Sequence, residues 1–169
     1  MRRPIQRWQM LSVGAGTMKG FGEAARALAI SPNLAAAHTV SGSSLISSGR
    51  LKEGIAALEK SNRLDPCRLV IRLNQIALAL YYSGEYEAAI ETANRAIREN
   101  PKYPNPYRWR AAALGQLGRI EEAKSALEEA IAIAPASFDM YVRERVPWRR
   151  PEDHAHMLEG LRKAGMPEE

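Results

Sequence analysis

Apolar residues recur along the chain with helical spacing, and proline and glycine interrupt them at a fixed interval. Pro32, Pro66, Pro101 and Pro135 are separated by 34, 35 and 34 residues, and Gly49, Gly84 and Gly118 by 35 and 34. Between each glycine and the next proline, apolar positions fall on one face of a helix: Leu51 to Leu64, Tyr86 to Ile97, and Ile120 to Ile133. A second helical segment fits between each proline and the next glycine. The pattern predicts helix A, a tight glycine turn, helix B and a proline-marked turn, repeated.

Each punctuator has a physical role. Glycine takes the positive φ that ends helix A, and proline after helix B stops the helix from continuing. Glu53, Glu85, Glu87, Glu121 and Glu122 fall in the first turn of helix B, where the positive end of the helix dipole favours them. With repeats starting at Ala35, Val70 and Pro104, position eight carries Gly42, Ala77 and Ala111, and position twenty carries Gly54, Ala89 and Ala123. Larger side chains there would splay the paired helices. Position twenty-seven gives Ser61, Ala96 and Ala130. Positions eleven and seventeen supply the larger core residues Leu45, Leu80 and Leu114, and Leu51, Tyr86 and Ile120.

This small-large-small register, with Gly-x-Tyr-x-x-Ala at Gly84 to Ala89 and the closing Asn100-Pro101, resembles the tetratricopeptide repeat family. The resemblance implies an all-α, right-handed α-solenoid of helix-turn-helix repeats. Three copies are expected, over about 35–68, 70–103 and 104–137. The first departs from the family at Gly54 and Ser61, where alanine is preferred, so a looser helix pair is expected there. Residues 1–34 form an N-terminal segment with a degenerate half-repeat, a helix B at about Gly20 to Ile30; Ser12 to Gly20 holds too much glycine for a helix.

Residues 136–169 read as divergent C-terminal capping helices. A short helix at about Ser137 to Val146 is stopped by Pro147. A last helix opens at Pro151 with Glu152 and Asp153 in its first turn and stops at Gly165. A polar terminal helix suits the end of a solenoid. Leu-x-Gly-Leu-Arg-Lys-Ala-Gly at Leu158 to Gly165, with the repeats before it, resembles the C-terminal repeat regions of bacterial class III adenylate cyclases. That resemblance implies a regulatory or dimerising role. It does not imply cyclase activity, for which a domain with two metal-binding aspartates would have to precede the repeats.

Composition narrows the function. The 169 residues are 46% hydrophobic and 25% charged, enough to bury one continuous core and too apolar for disorder. No apolar run reaches the roughly 18 residues of a membrane helix, and no signal-peptide core follows Arg2 and Arg3, so a cytoplasmic protein with no membrane partner is expected. The net charge of +5 gathers at the ends, in Arg2, Arg3, Arg7 and Lys19 and in Arg143, Arg145, Arg149 and Arg150. Without interleaved aromatics these read as solvated surface, and nucleic acid is not an expected partner. The single Cys67 is expected to be a small buried or half-buried residue.

Candidate chemistry is sparse. Gly14, Gly16 and Gly20 around Lys19 lack the Gly-Lys-Ser/Thr of a phosphate loop and a strand before it. His154 and His156 are two apart, on different helix faces with no third ligand, and read as exposed; His38 reads as packing. No triad, zinc motif or apolar carboxylate pair is recognisable, so no catalytic residue, metal or cofactor is expected.

The family resemblance implies instead a concave groove lined by helices A at positions two, five, nine and twelve. Carried over, these are Thr39 and Ser43, then Asn74, Leu78 and Tyr81, then Asn105, Arg108 and Ala112. Asn74, Tyr81 and Arg108 combine an amide, an aromatic and a cation that together can anchor a peptide. The slots lack the Lys/Asn clamp with which chaperone-binding members hold a carboxylate. A non-catalytic adaptor for a protein or peptide partner is therefore expected, with self-association left open.

Overall fold

The computed structural model describes residues 20–142 and 150–167. Helix α1 covers 20–30. It is followed by α2 (Ala35–Ser47), α3 (Leu51–Leu64), a 3-10 turn (Pro66–Arg68), α4 (Leu69–Tyr82), α5 (Tyr86–Glu99), α6 (Asn105–Gln116), α7 (Ile120–Ile133), α8 (Pro135–Val142) and α9 (Pro151–Lys163). No strand occurs among the described residues. The α3 and α7 bounds match the periodicity, α5 runs past Ile97 to Glu99, and α8 starts at Pro135 rather than Ser137. The expected extension of α8 to Val146 and the glycine-rich stretch before Gly20 lie outside the described residues.

One device ends every helix A. Gly49, Gly84 and Gly118 have φ of 85°, 78° and 70°. The residue after each reaches back over the last turn: Arg50 N–H donates to Leu45 O at 2.9 Å, Glu85 to Leu80 O at 3.0 Å and Arg119 to Leu114 O at 3.1 Å. Carbonyls that the helix end leaves orphaned are thereby satisfied, and the chain turns straight into helix B. α2 pairs with α3, α4 with α5 and α6 with α7, and each helix B packs on the next helix A, which makes an all-α solenoid.

Small residues set the spacing within pairs. Ala77, Ala89, Ala111 and Ala123 are fully buried. The first pair is not loose, as Gly54 and Ser61 had suggested. A β-carbon on Gly42 would come 2.9 Å from Gly54 O, and one on Gly54 2.9 Å from Gly42 O, so α2 and α3 approach more closely than alanine allows. Ser61 also has work that alanine could not do: its hydroxyl lies 2.8 Å from Ala35 O, to which it donates, and 2.8 Å from Thr39 Oγ1. Buried Arg72 then joins the first two repeats, donating to Asn62 Oδ1 at 2.7 Å and to Asp65 O.

Two other expectations are corrected. Leu45 and Leu114 are buried, but at position seventeen Leu51 and Tyr86 are only half-buried and Ile120 is exposed, because the first residue of helix B sits at the edge of the layer. Cys67 is exposed, carried outward on the 3-10 turn whose N–H donates to Asp65 Oδ1 at 2.8 Å. One core runs through α4 to α7 and continues into Met157 and Leu161 of α9; a smaller one joins Ile46, Leu58, Ile76 and Ala79.

Candidate functional site

The candidate site is the concave side of helices A, and its central feature is what lies on it. α9 is a self-contained helix. Pro151 opens it, Glu152 and Asp153 complement its N-terminus, Arg162 and Lys163 its C-terminus, and Glu159 pairs with Lys163 at 2.7 Å. It stops as helices A do, with Gly165 at φ 99° and Met166 N–H donating to Leu161 O at 3.0 Å. His154, Met157, Gly160, Leu161 and Ala164 form its buried stripe.

That stripe packs mainly on α6 and only marginally on α7 and α8, so α9 lies against helix A of the third repeat. Its start reaches repeat one, where a β-carbon on Gly49 would stand 2.8 Å from Arg150 Nη1. Its middle reaches repeat two: Tyr81 Oη donates to His156 O at 2.7 Å, and Tyr86 Oη lies 2.9 Å from His156 Nε2. Its end reaches repeat three, with Lys163 Nζ donating to Gln116 Oε1 at 2.7 Å. α9 therefore passes the turn ends of all three helices A.

The crossing with α6 depends on two helical glycines. A β-carbon on Gly115 would collide with Gly160 O, and one on Gly160 would lie 2.7 Å from Ala112 O and collide with Tyr81 Oη. Around the crossing stands an aromatic group. Tyr81 contacts Trp109 at a ring separation of 5.8 Å and His156 at 4.7 Å, and Tyr82 and Tyr86 flank the imidazole at 6.2 and 6.1 Å. The two C-terminal histidines are thus not exposed: His154 is buried and His156 half-buried. His38 packs as expected, buried with Nε2 2.9 Å from Pro32 O.

Electrostatics follow from this burial. Loss of solvent pushes the Tyr81 phenol far above the usual tyrosine range and raises Tyr86 as well. The Lys163 hydrogen bond holds Glu159 below the usual carboxylate range, and the bidentate bond to Asp153, 2.8 Å at each oxygen, raises the Arg150 guanidinium. Of the basic ends, only Arg150 falls among the described residues, and its charge is committed to Asp153 and Glu152. Among the described residues no group of three or more His, Cys, Asp or Glu is placed to hold a metal ion, and no helix is long and apolar enough to cross a membrane.

The eight groove residues inferred from the register fall into three groups. Tyr81 and Ala112 are fully buried beneath α9. Asn74 and Arg108 are buried and Leu78 half-buried, with Arg108 stacked 4.9 Å over Trp109 and bonded to Asn105 Oδ1 at 3.1 Å. Thr39, Ser43 and Asn105 are half-buried; Ser43 Oγ donates to Gln75 Oε1 at 3.1 Å and Asn105 Nδ2 to Tyr103 Oη at 2.9 Å. Asn74, Tyr81 and Arg108 therefore do not form one solvent-facing trio. The register missed Gly115, Gln116, His156, Gly160 and Lys163. Their one sequence signal is the stripe at 154, 157, 161 and 164, which marks a helix with a buried face but not what covers it.

Comparison with known proteins gives the class. Residues 77–118 match the family model described as TPR repeat, and 107–137 that described as tetratricopeptide repeat. Structural neighbours extend the likeness over most of the chain. The crystal structure of MamA is 22% identical with a TM-score of 0.64, covering 85% of this chain and 84% of that one. The first TPR domain of Spaghetti (RPAP3), bound to the HSP90 peptide SRMEEVD, is 23% identical with a TM-score of 0.60, covering 78% and 90%. YrrB, a TPR protein with an unusual peptide-binding site, is 20% identical with a TM-score of 0.62, covering 91% and 79%. The protein is a helical-repeat solenoid, and residues 77–137 of it match tetratricopeptide repeats.

Proposed function

We propose that this chain is a non-catalytic protein-interaction adaptor that takes a peptide or helix from a partner on the concave side of α2, α4 and α6. The observation that carries this reading is the docking of α9: a helical segment seats against helices A with an apolar stripe, a small-residue crossing and polar contacts from Tyr81 and Gln116. Peptide binding by the RPAP3 domain and the peptide-binding site of YrrB support it. The cyclase-like stretch Leu158 to Gly165 has a packing account, since Gly160, Leu161 and Ala164 are buried and Gly165 ends the helix; the regulatory reading gains no support from it.

The test is photo-cross-linking in the source cell. A cross-linking residue at Ser43 or Asn105, on the concave side, is expected to capture a partner that the same group at Glu59 or Glu128, exposed on α3 and α7, does not. Capture from the two helix-B positions alone overturns the assignment.

A further inference from the structure

Gly115 and Gly160 sit inside helices, where each costs about 1 kcal/mol relative to alanine. Neither has a positive φ, so neither is there for a turn. The three atoms nearest a β-carbon on Gly115 belong to Gly160 of α9 or to Ala164, which caps it, and the three nearest one on Gly160 all belong to Tyr81 or Ala112. Both glycines are thus explained by one contact, the crossing of α9 over the groove. The groove wall and its occupant are cut to each other.

We propose that α9 is an exchangeable occupant held in cis, and that the partner which replaces it is an amphipathic helix of the same chemistry. Such a helix presents Gly at the crossing, an apolar residue three before it and one after it, and a cation three after it, as Met157, Gly160, Leu161 and Lys163 do. This rests on the adaptor reading and names the ligand class of that same site.

Three observations support exchange over permanent structure. α9 carries its own start, stop and i,i+4 ion pair, so the local signals that make it a helix lie within the segment and not in the repeats it packs on. It leans on α6 with little contact to α7 and α8, so leaving separates no A–B pair. Its contacts through Tyr86 with His156 Nε2 and through Lys163 with Gln116 lie at its margins, and the buried one from Tyr81 goes to a backbone carbonyl, His156 O, of a kind that any helix carries. A partner helix can supply the backbone carbonyl that Tyr81 needs and a cation for Gln116.

The probe is a labelled peptide of residues 150–167, titrated by fluorescence anisotropy into full-length chains. In the wild-type chain it competes with a tethered α9 at an effective concentration on the order of millimolar. Gly160→Leu expels the cis helix, and that chain is expected to bind the peptide at least about tenfold more tightly than wild type. Adding Gly115→Leu, on the groove side, is expected to abolish the gain, as is placing Gly160→Leu in the peptide.

Equal binding by wild-type and Gly160→Leu chains, or binding indifferent to Gly115→Leu, overturns the proposal. So does failure of a Gly160→Leu chain with an intact helical melt to bind. A second chain, Met157→Asp/Leu161→Asp, expels α9 without bulk at the crossing and must behave like Gly160→Leu. If both chains lose the cooperative melt, α9 is core rather than occupant and the proposal fails. The cross-linking pattern from Ser43 and Asn105 stands or falls independently of that result.

Discussion

A β-carbon at Gly54 would stand 2.9 Å from the carbonyl oxygen of Gly42, on backbone that yields only if α2 parts from α3. Helix propensity alone favours Gly54→Ala by about 1 kcal/mol, and the family register prefers alanine there. The overpacking runs the other way, by about 1–3 kcal/mol. Gly54→Ala is expected to destabilise the chain in urea unfolding; a stabilised variant shows that α2 and α3 are not in close contact. Tyr81 gives a second test. Removing its hydroxyl deletes the bond to His156 O, which keeps its place in the α9 helix ladder, so Tyr81→Phe is expected to cost about 0.5–1.5 kcal/mol at pH 7. Burial raises the folded-state pKa of Tyr81, so stability tied to its neutral phenol is complete below the ordinary tyrosine pKa of about 10 and is lost as pH rises above it. The wild-type and Tyr81→Phe unfolding curves should therefore converge at alkaline pH. A gap that stays constant from pH 7 to pH 11 contradicts the burial of this phenol under α9.

Three helices begin with the same pair, an arginine ahead of the first turn and an acid three residues on: Arg50–Glu53 before α3, Arg119–Glu122 before α7 and Arg150–Asp153 before α9. The first two are solvated, so Glu53→Gln and Glu122→Gln are each expected to leave the urea midpoint almost unchanged. In the third, the acid is only 15% exposed and the arginine lies against Gly49, so Asp153→Asn is expected to cost more than either. Equal effects of all three, measured by urea unfolding, place Arg150 away from repeat one. The start and stop of nearly every element were legible because their causes are local: glycine at positive φ, proline after helix B, small residues at positions eight and twenty. The role of α9 was not. The repeat period ends at Pro135, and the contacts that seat α9 join Tyr81 to His156 and Gly115 to Gly160 across long stretches of chain. Register assigned Tyr81 and Ala112 to a partner because nothing local shows that the chain fills that place itself.

Across the whole molecule, the core of α4 to α7 is shared with α9, while the repeat pairs make their principal contacts without it. Such an arrangement predicts two levels of opening. Amides in the middle of α4 and α6 should exchange with solvent only through global unfolding, on the scale of about 5–15 kcal/mol. Those of α9 should exchange through a smaller opening in which the helix lifts away and frays. The size of that opening decides what a partner must achieve, because apparent affinity is reduced by the fraction of molecules whose groove is free. An opening of about 2.7 kcal/mol leaves about 1% free and weakens apparent binding about 100-fold. A partner helix of ordinary affinity can meet that demand. Native-state hydrogen exchange measures it directly, and Gly160→Leu should abolish slow exchange in α9 while leaving the slow amides of α4 protected. If α9 amides exchange only at the global limit, no partner helix can take the place of α9 without unfolding the chain, and a partner must bind beside it, where Ser43 and Asn105 lie.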